Sequence, residues 1–201
     1  MVSYNSAHCF ARQGALLRAC PHVIVVDNGS DDGSAQQVSR HLPQARVLAL
    51  PRNLGFGAAN NRGLAQVATP FALLLNPDCD MQPQAIAALL EAARRWPDAA
   101  IVAPQLVEAG GGAEVNYRFT LTDWPARGAG AEGECCVGFV CGAAMLWRME
   151  RFTDVGWFDE RFFLYYEDDD LCLRLKQARR PMIIAPQVRA RHRSRGSVRG
   201  Q

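Results

Sequence analysis

Several signatures that would direct the reading of this sequence are missing. There is no G-x-G-x-x-G and no G-x-x-x-x-G-K-[ST], which argues against a dinucleotide-dependent dehydrogenase and a P-loop NTPase. The seven cysteines form no Cys-x-x-Cys pair, and several stand in apolar runs where Cys behaves as a small hydrophobe. They read as free thiols of a reducing cytoplasm. The opening "MVSYNSAH" lacks a charged leader with an apolar centre, so no signal peptide is expected. The uncharged run "CCVGFVCGAAMLW" (135 to 147) is too short to span a bilayer, which leaves peripheral contact as the expected membrane association. No internal repeat or low-complexity linker is present, although "EAGGGAEV" and "PARGAGAEG" have the glycine content of surface loops.

What is present fits one soluble globular domain. The 201 residues suffice to bury a core without disulfide or metal staples, and 49% apolar with 21% charged residues is an ordinary globular balance. The net charge of +2 conceals a basic C-terminus with Arg189, Arg191, Arg193, Arg195 and Arg199 around His192. A solvated tail and a contact with a polyanion, whether diphosphate, nucleic acid or lipid headgroup, both account for it.

The first two-thirds of the chain alternates short β-rich runs with helical patterns. "HVIVVD" (22 to 27), "ARVLAL" (45 to 50), "FALLLN" (71 to 76) and "AAIVAP" (99 to 104) read as strands. "GFGAANNRGLAQVA" and "QPQAIAALLEAARRW", the latter with Pro83 in its first turn, read as helices. That order predicts an α/β fold with a mostly parallel, doubly wound sheet. From residue 114 the pattern changes to short strands, a helix near 148 to 155, an acidic stretch and two strand-like runs, "PMIIA" and "QVRARH". This reads as an α+β portion appended within the single domain 1–201, with 1–104 the nucleotide-binding half and 105–201 the acceptor and catalytic half.

In such sheets ligands bind beyond the carboxyl ends of the strands, where this sequence places Asp27, Asn76 and Asp78. In "VVDNGSDDGS", nucleotide contact and plain turn chemistry compete. In "LLLNPDCDM", Asp78 and Asp80 are hard oxygen donors suited to Mg²⁺ or Mn²⁺, and equally a turn around Pro77. His192 is a metal-ligand candidate among arginines, though a lone His is more often structural. "FFLYYEDDDLCLRLK" (162 to 176) sets four acids, Glu167 to Asp170, between aromatic and amphipathic runs. Helical spacing of Leu171, Leu175 and Ala178 starts a helix near Asp168 or Asp169. Asp in its first turn suits the helix dipole, and Asp170 pairs with Arg174 at i,i+4. Glu167 and Asp168 are left needing another explanation.

Taken in order, "VSYNSA", "VIVVDNGSDDGS", "RNLGFGAANNRGL", "FALLLNPDCDM", "GFVCGAAMLWRMERFTDVGWFDERFFLYYEDDDLCLRL" and "HRSRGS" resemble the family-2 glycosyltransferases of the GT-A fold, especially rhamnosyltransferase-like members. The resemblance implies inverting transfer of a sugar from a nucleoside diphosphate donor, dTDP- or UDP-linked, to a hydroxyl of a surface glycan or lipid-linked saccharide. It implies Ser3, Tyr4, Asp27, Asn53, Gly55 and Asp78 at the donor, with Asp78 and His192 holding Mg²⁺ or Mn²⁺. It makes Asp168 the general base, and Glu167 then either sets the charge of Asp168 or touches the acceptor. A cytoplasmic location, peripheral on the inner membrane, and no nucleic-acid partner go with it. Two departures stand out. Only Met1 and Val2 precede "SYN", where relatives carry a longer apolar run, so either the start is placed too late or the sheet is weakened at its first strand, and Asn76 occupies a position where many relatives carry Asp. A sugar-nucleotide-binding relative without turnover is the alternative reading, and a nucleic-acid binder, suggested by the arginine tail alone, is the third.

Overall fold

A computed structural model describes residues 1–108, 110–114, 116–120 and 130–193. Parts of both glycine-rich segments, together with Arg195 and Arg199 of the basic end, lie outside the described residues.

Three parallel strands, β1 (Val2–Ser3), β2 (Ile24–Asp27) and β3 (Arg46–Ala49), form one sheet in that order. Helices α1 (Phe10–Arg18) and α2 (Ser34–His41) connect them, as parallel neighbours require a crossover. Val25 and Val26 are buried, and Phe10, Val38 and Leu42 close a small core around Val25. Helix α3 (Phe56–Leu64) leads to the larger sheet.

That sheet combines β4 (Phe71–Leu75), β5 (Cys79–Asp80), β6 (Ile101–Val107), β8 (Cys135–Val137), β10 (Ala144–Arg148) and β11 (Met182–His192), with path β4-β10-β6-β11-β5 and β8 on β11. Helix α4 (Pro83–Arg95) precedes β6, with Pro83 in the first turn where its missing N–H is harmless. A separate ribbon joins β7 (Tyr117–Arg118) to β9 (Phe139–Val140). The larger sheet is mixed: β10 runs antiparallel to β4 and β6, and β11 runs parallel to β6. The later residues, expected as an appended portion, thus supply strands inside the sheet. Trp147 of β10 stacks on Phe152 at 4.1 Å between ring centroids and anchors the main core with Phe158, Leu171 and Leu175.

Three local expectations change. The helix expected near 148 to 155 is a 3₁₀ turn, Met149–Phe152, followed by a turn in which Gly156 N–H donates to the Phe152 carbonyl at 2.8 Å. The two runs "PMIIA" and "QVRARH" form one strand, β11, with a register shift between Ala185 and Arg189. Pro186 lies in that shift, and it has no N–H to give a ladder. Helix α5 (Glu167–Gln177) starts one or two residues earlier than its apolar spacing indicates, behind Tyr166 at φ 69°.

Among the described residues the two sheets are not joined between β1 and β4: β1 pairs only with β2, while β4 pairs only with β10. A largely apolar cleft of about 410 Å³ opens there, lined among others by Val2, Leu16, Ile24, Leu73 and Leu75.

Candidate active site

The site residues gather at the carboxyl ends of β1, β2 and β4, where the chain leaves each strand for a polar loop. Ser3 pairs with Asp27 in the parallel register, so both strand ends present side chains at one level. Ser3 is fully buried and its hydroxyl has no hydrogen-bond partner among the described residues. Asp27 is buried and accepts from the Ser30 hydroxyl at 2.5 Å, while Tyr4 stands half-exposed at the rim.

Asn28 ties this end to the next loop. Its Nδ2 donates to Asn53 Oδ1 at 2.7 Å and to the Gly55 carbonyl at 3.2 Å, and its Oδ1 accepts from Leu54 N–H at 2.9 Å. Asn53 Oδ1 also accepts from Gly55 N–H at 2.9 Å. The expected donor residues Ser3, Asp27, Asn53 and Gly55 are therefore brought together, through a buried side chain whose i-to-i+25 spacing carries no local signal.

Gly55 has φ 91° and ψ 168°, a region that only glycine occupies without strain. Phe56 N–H donates to the Phe163 carbonyl at 2.9 Å, so the loop before α3 lies directly against the aromatic run before α5. Phe163, Leu164, Tyr165 and Tyr166 are exposed, the two tyrosines by 67% and 70%, and both tyrosines hold positive φ. Two consecutive bulky residues in that conformation cost on the order of 1 to 3 kcal/mol each, a kind of strain that clusters at functional sites.

The four acids of α5 have four separate environments. Asp170 pairs with Arg174 at 2.8 Å, as i,i+4 spacing predicts. Asp169 pairs with Arg118 of β7, whose guanidinium also lies 3.9 Å from the centre of the Phe139 ring. Both fasten the helix to its surroundings. Asp168 turns towards β10, accepting from Gly142 N–H at 3.1 Å. Burial pushes its carboxyl up from the usual aspartate range, the Gly142 bond pulls it back, and Asp169 pushes it up again.

Glu167 is buried on the side of α3, close to Gly57, and its Oε2 has no hydrogen-bond partner among the described residues. Burial raises its carboxyl to about 7, with smaller upward contributions from Asp168 and Asp169. A carboxyl raised by folding binds its proton more tightly in the native state. Its stability contribution is therefore full below the ordinary value of 4.5 and is lost as pH rises through about 7. Glu167→Gln should match the wild type below pH about 4.5 and exceed it at pH about 8, by about 3 kcal/mol at most. Thermal unfolding across that range checks this, and parallel curves for the two proteins would contradict it.

The Asn76 to Asp80 loop follows β4. Gln13 of α1 holds it from below, its Nε2 donating to the carbonyls of Pro77 at 2.9 Å and Cys79 at 2.8 Å, and more weakly to that of Asn76 at 3.3 Å. Nothing in the sequence around Gln13 announces this, because its partners are some 63 to 66 residues away. Asp78 is buried, and its carbonyl accepts from Arg193 N–H at 3.1 Å. Asp80 faces Arg193 at 3.7 Å. His192, at the end of β11, pairs in register with Cys79, which brings its Nε2 to 3.7 Å from Asp78 Oδ1.

Those two atoms are close enough for one ion to reach both, since two bonds of about 2.1 Å span up to about 4.2 Å. Oxygen with imidazole nitrogen suits Mn²⁺ or Mg²⁺. Among the described residues, no group of three or more His, Cys, Asp and Glu side chains is placed to hold a metal. A cation held by this pair would need its remaining ligands from outside these side chains.

The carboxyl-end cluster, the Asp78–His192 pair and the α5 acids thus share one end of the sheet. Asn76 N–H donates to the Ala143 carbonyl at 2.9 Å, next to the Gly142 that holds Asp168. A family model for "Glycosyl transferase family 2" matches residues 5–152. The chain belongs to that family.

Relatives within the family include the N-acetylglucosaminyl-diphospho-decaprenol L-rhamnosyltransferase of Mycobacterium tuberculosis, 32% identical over 85% of this chain and 66% of that protein. The pre-mycofactocin glycosyltransferase of the same organism is 33% identical over 97% of this chain and 42% of that protein. The chain thus spans less than two thirds of the curated relatives it matches. Among solved structures, Staphylococcus aureus TarS residues 1–349 superposes with a TM-score of 0.71 at 16% identity, covering 96% of this chain and 59% of that one. The mannosyltransferase PcManGT of Pyrobaculum calidifontis, solved with GDP-Man and Mn²⁺, gives a TM-score of 0.71 at 13% identity, covering 95% and 55%. At those identities the superpositions establish the GT-A fold.

The glycosyltransferase family and its α/β fold are as the sequence motifs indicate. No helix among the described residues is long and apolar enough to cross a membrane. All seven cysteines are free.

Proposed function

We propose that this glycosyltransferase family 2 domain moves a sugar, with inversion, from a nucleoside diphosphate donor to an acceptor hydroxyl. The preferred donor is dTDP-rhamnose, and the acceptor is a lipid-linked or surface saccharide reached by peripheral contact at the cytoplasmic face of a membrane. The observation that carries this reading is the convergence, at one end of the sheet, of the Ser3–Asp27–Asn53 cluster, the Asp78–His192 pair and the partly buried carboxylate of Asp168. The rhamnosyltransferase relative supports the choice of sugar and of a diphospho-lipid acceptor.

In this mechanism Ser3, Tyr4 and Asp27 hold the nucleoside, and Asn53 and Gly55 line the rest of the donor pocket. Asp78 and His192 are the side chains that hold Mn²⁺ or Mg²⁺. When bound, the cation supplies positive charge to the diphosphate as the glycosidic bond breaks. Asp168 takes the proton from the acceptor hydroxyl as its oxygen attacks the anomeric carbon. The bond from that carbon to the diphosphate breaks on the opposite face, so the configuration inverts and the electron pair leaves with the diphosphate. Burial suits Asp168 to this task, because a carboxylate with a raised pKa is a stronger base. Glu167 borders the acceptor, and the exposed rings of Tyr165 and Tyr166 extend that border outwards.

Thermal-shift measurements with dTDP, UDP, GDP and their sugars, with and without Mn²⁺, test the donor and metal readings together. A ligand at about 100 times its Kd stabilises the fold by about 2.7 kcal/mol, or very roughly 5 to 11 °C for a protein of this size. The expected result is such a shift with one nucleoside diphosphate that shrinks when Mn²⁺ is omitted. No shift with any of them would overturn the proposal.

A further inference from the structure

Beside the Asp78–His192 pair lies a second carboxylate, from the glycine-rich run "EAGGGAEV". Glu114 Oε2 and Oε1 are 3.0 and 3.3 Å from His192 Nδ1. The imidazole is therefore flanked on both sides, by Glu114 at Nδ1 and by Asp78 at Nε2, 3.7 Å away. The side chains are 13% exposed for His192, 23% for Glu114 and 4% for Asp78, so the row is largely shielded from water.

The three groups come from three separate pieces of chain. Asp78 belongs to the loop after β4, and His192 is fixed by ladder pairing of β11 with β5. Glu114 is held through its backbone: its N–H donates to the Leu106 carbonyl at 2.9 Å, and its carbonyl accepts from Gln105 Nε2 at 2.7 Å. Ala113 forms a bridge with Val107 alongside. The carboxylate is thus delivered by a segment tied to the end of β6, and not by a free loop.

We propose that Glu114 is a positioning residue for the divalent-cation site, holding the proton of His192 on Nδ1 so that the Nε2 lone pair is presented to the cation beside Asp78. This rests on the reading of Asp78 and His192 as metal ligands. The chemistry is that of a metal-bound imidazole whose other nitrogen donates to a carboxylate, which fixes the tautomer, orients the ring and makes it a better donor. Losing such a partner typically weakens metal affinity about 10- to 100-fold. Glu114 has a further consequence for charge, because it brings a second anion to a ring that already faces Asp78.

The test measures Mn²⁺ binding by titrating the free-ion electron paramagnetic resonance signal with wild-type protein, Glu114→Ala, Glu114→Gln and His192→Ala, with Tm recorded for each. Glu114→Ala should lose about 10- to 100-fold in Mn²⁺ affinity. Glu114→Gln, whose amide oxygen can still accept from Nδ1–H and whose shape preserves the fold, should lose less. Glu114→Ala placed on His192→Ala should add little. Nitrogen-15 spectra of the Mg²⁺-loaded wild type should show His192 protonated at Nδ1 and bare at Nε2. If His192→Ala weakens Mn²⁺ binding while both Glu114 variants bind as the wild type does, the positioning role is wrong and the metal reading stands. If His192→Ala also binds Mn²⁺ as the wild type does, the metal reading itself fails. A lowered Tm with unchanged Mn²⁺ affinity in Glu114→Ala would make the contact purely structural and overturn the proposal.

Discussion

Asp168→Asn should lower the turnover number for sugar transfer by about 10²- to 10⁴-fold, the range that general-base catalysis typically contributes, while leaving donor affinity close to the wild-type value. The amide is isosteric with the carboxylate, so Oδ1 can take over acceptance from Gly142 N–H, which in the wild type spans 3.1 Å to Oδ2. The first turn of α5 is then kept, and only the capacity to remove a proton is lost. The raised pKa of Asp168, due first to burial, adds a second signature. In the wild type the acidic limb of the pH–rate profile should lie above the ordinary aspartate range, and in the variant that limb should vanish. Steady-state kinetics across pH, with donor binding followed by calorimetry, separate the two effects. Equal turnover in both proteins would remove Asp168 from the mechanism.

The other large effect is expected at Gly55. A Cβ built there meets the Phe163 carbonyl oxygen at 2.3 Å and the Phe163 Cα at 2.9 Å, both backbone atoms that no rotamer change can move aside. The φ of 91° with ψ 168° adds backbone strain for any other residue. Gly55→Ala should therefore cost about 3 kcal/mol or more, or very roughly 6 to 12 °C in Tm. The damage should reach function too. The displaced loop holds Asn53 on one side and, through Phe56 N–H and the Phe163 carbonyl, the run leading to Tyr166 and Asp168 on the other. Gly55→Ala should thus weaken nucleotide binding and slow transfer together, whereas Asp168→Asn slows transfer alone. Calorimetric titration of the variant with the nucleoside diphosphate, at a temperature where it is folded, checks this. Wild-type stability and binding would contradict the close packing of the two loops.

Both predictions rest on residues that the sequence exposes to different degrees. The strands of β2, β3, β4 and β6 were legible because β-branched and apolar runs ending in acids or turn residues leave few alternatives. Asp27, Asn53, Gly55, Asp78 and Asp168 stand out as candidates because each lies at such a boundary, in a motif shared with a known family. The weaving of β10 and β11 into the middle of the sheet was not legible. It depends on pairings such as Leu146 with both Leu73 and Val102, and periodicity along one segment says nothing about its neighbours. The start of α5 was misplaced for a related reason. Apolar spacing locates the buried face of a helix, whereas its first residue here is set by Tyr166 in a left-handed conformation that a tyrosine rarely adopts.

The supporting side chains were the least legible. Gln13, Asn28 and Glu114 look like ordinary polar residues of a helix, a turn and a loop. Their roles come from partners that the fold brings close: the carbonyls of the Asp78 loop for Gln13, Asn53 for Asn28, and His192, some 78 residues on, for Glu114. Arg118 is similar, since only tertiary contact shows it between Asp169 and the Phe139 ring. The four consecutive acids show the same division. Asp170 was explained by local spacing, Asp169 needed a partner from β7, and Glu167 and Asp168 needed burial that only packing against α3 and β10 creates.

The central claim is that this domain carries out sugar transfer with Asp168 as the base, and does not merely hold a sugar nucleotide. The most direct test is proton NMR of the product formed from a dTDP- or UDP-linked sugar and a lipid-linked saccharide acceptor with Mn²⁺, run with the wild type and with Asp168→Asn. The account predicts a new glycosidic anomeric signal of configuration opposite to the donor's, formed at least about 100-fold more slowly by the variant. Donor binding without any new glycosidic signal, or a product that keeps the donor's configuration, would contradict it.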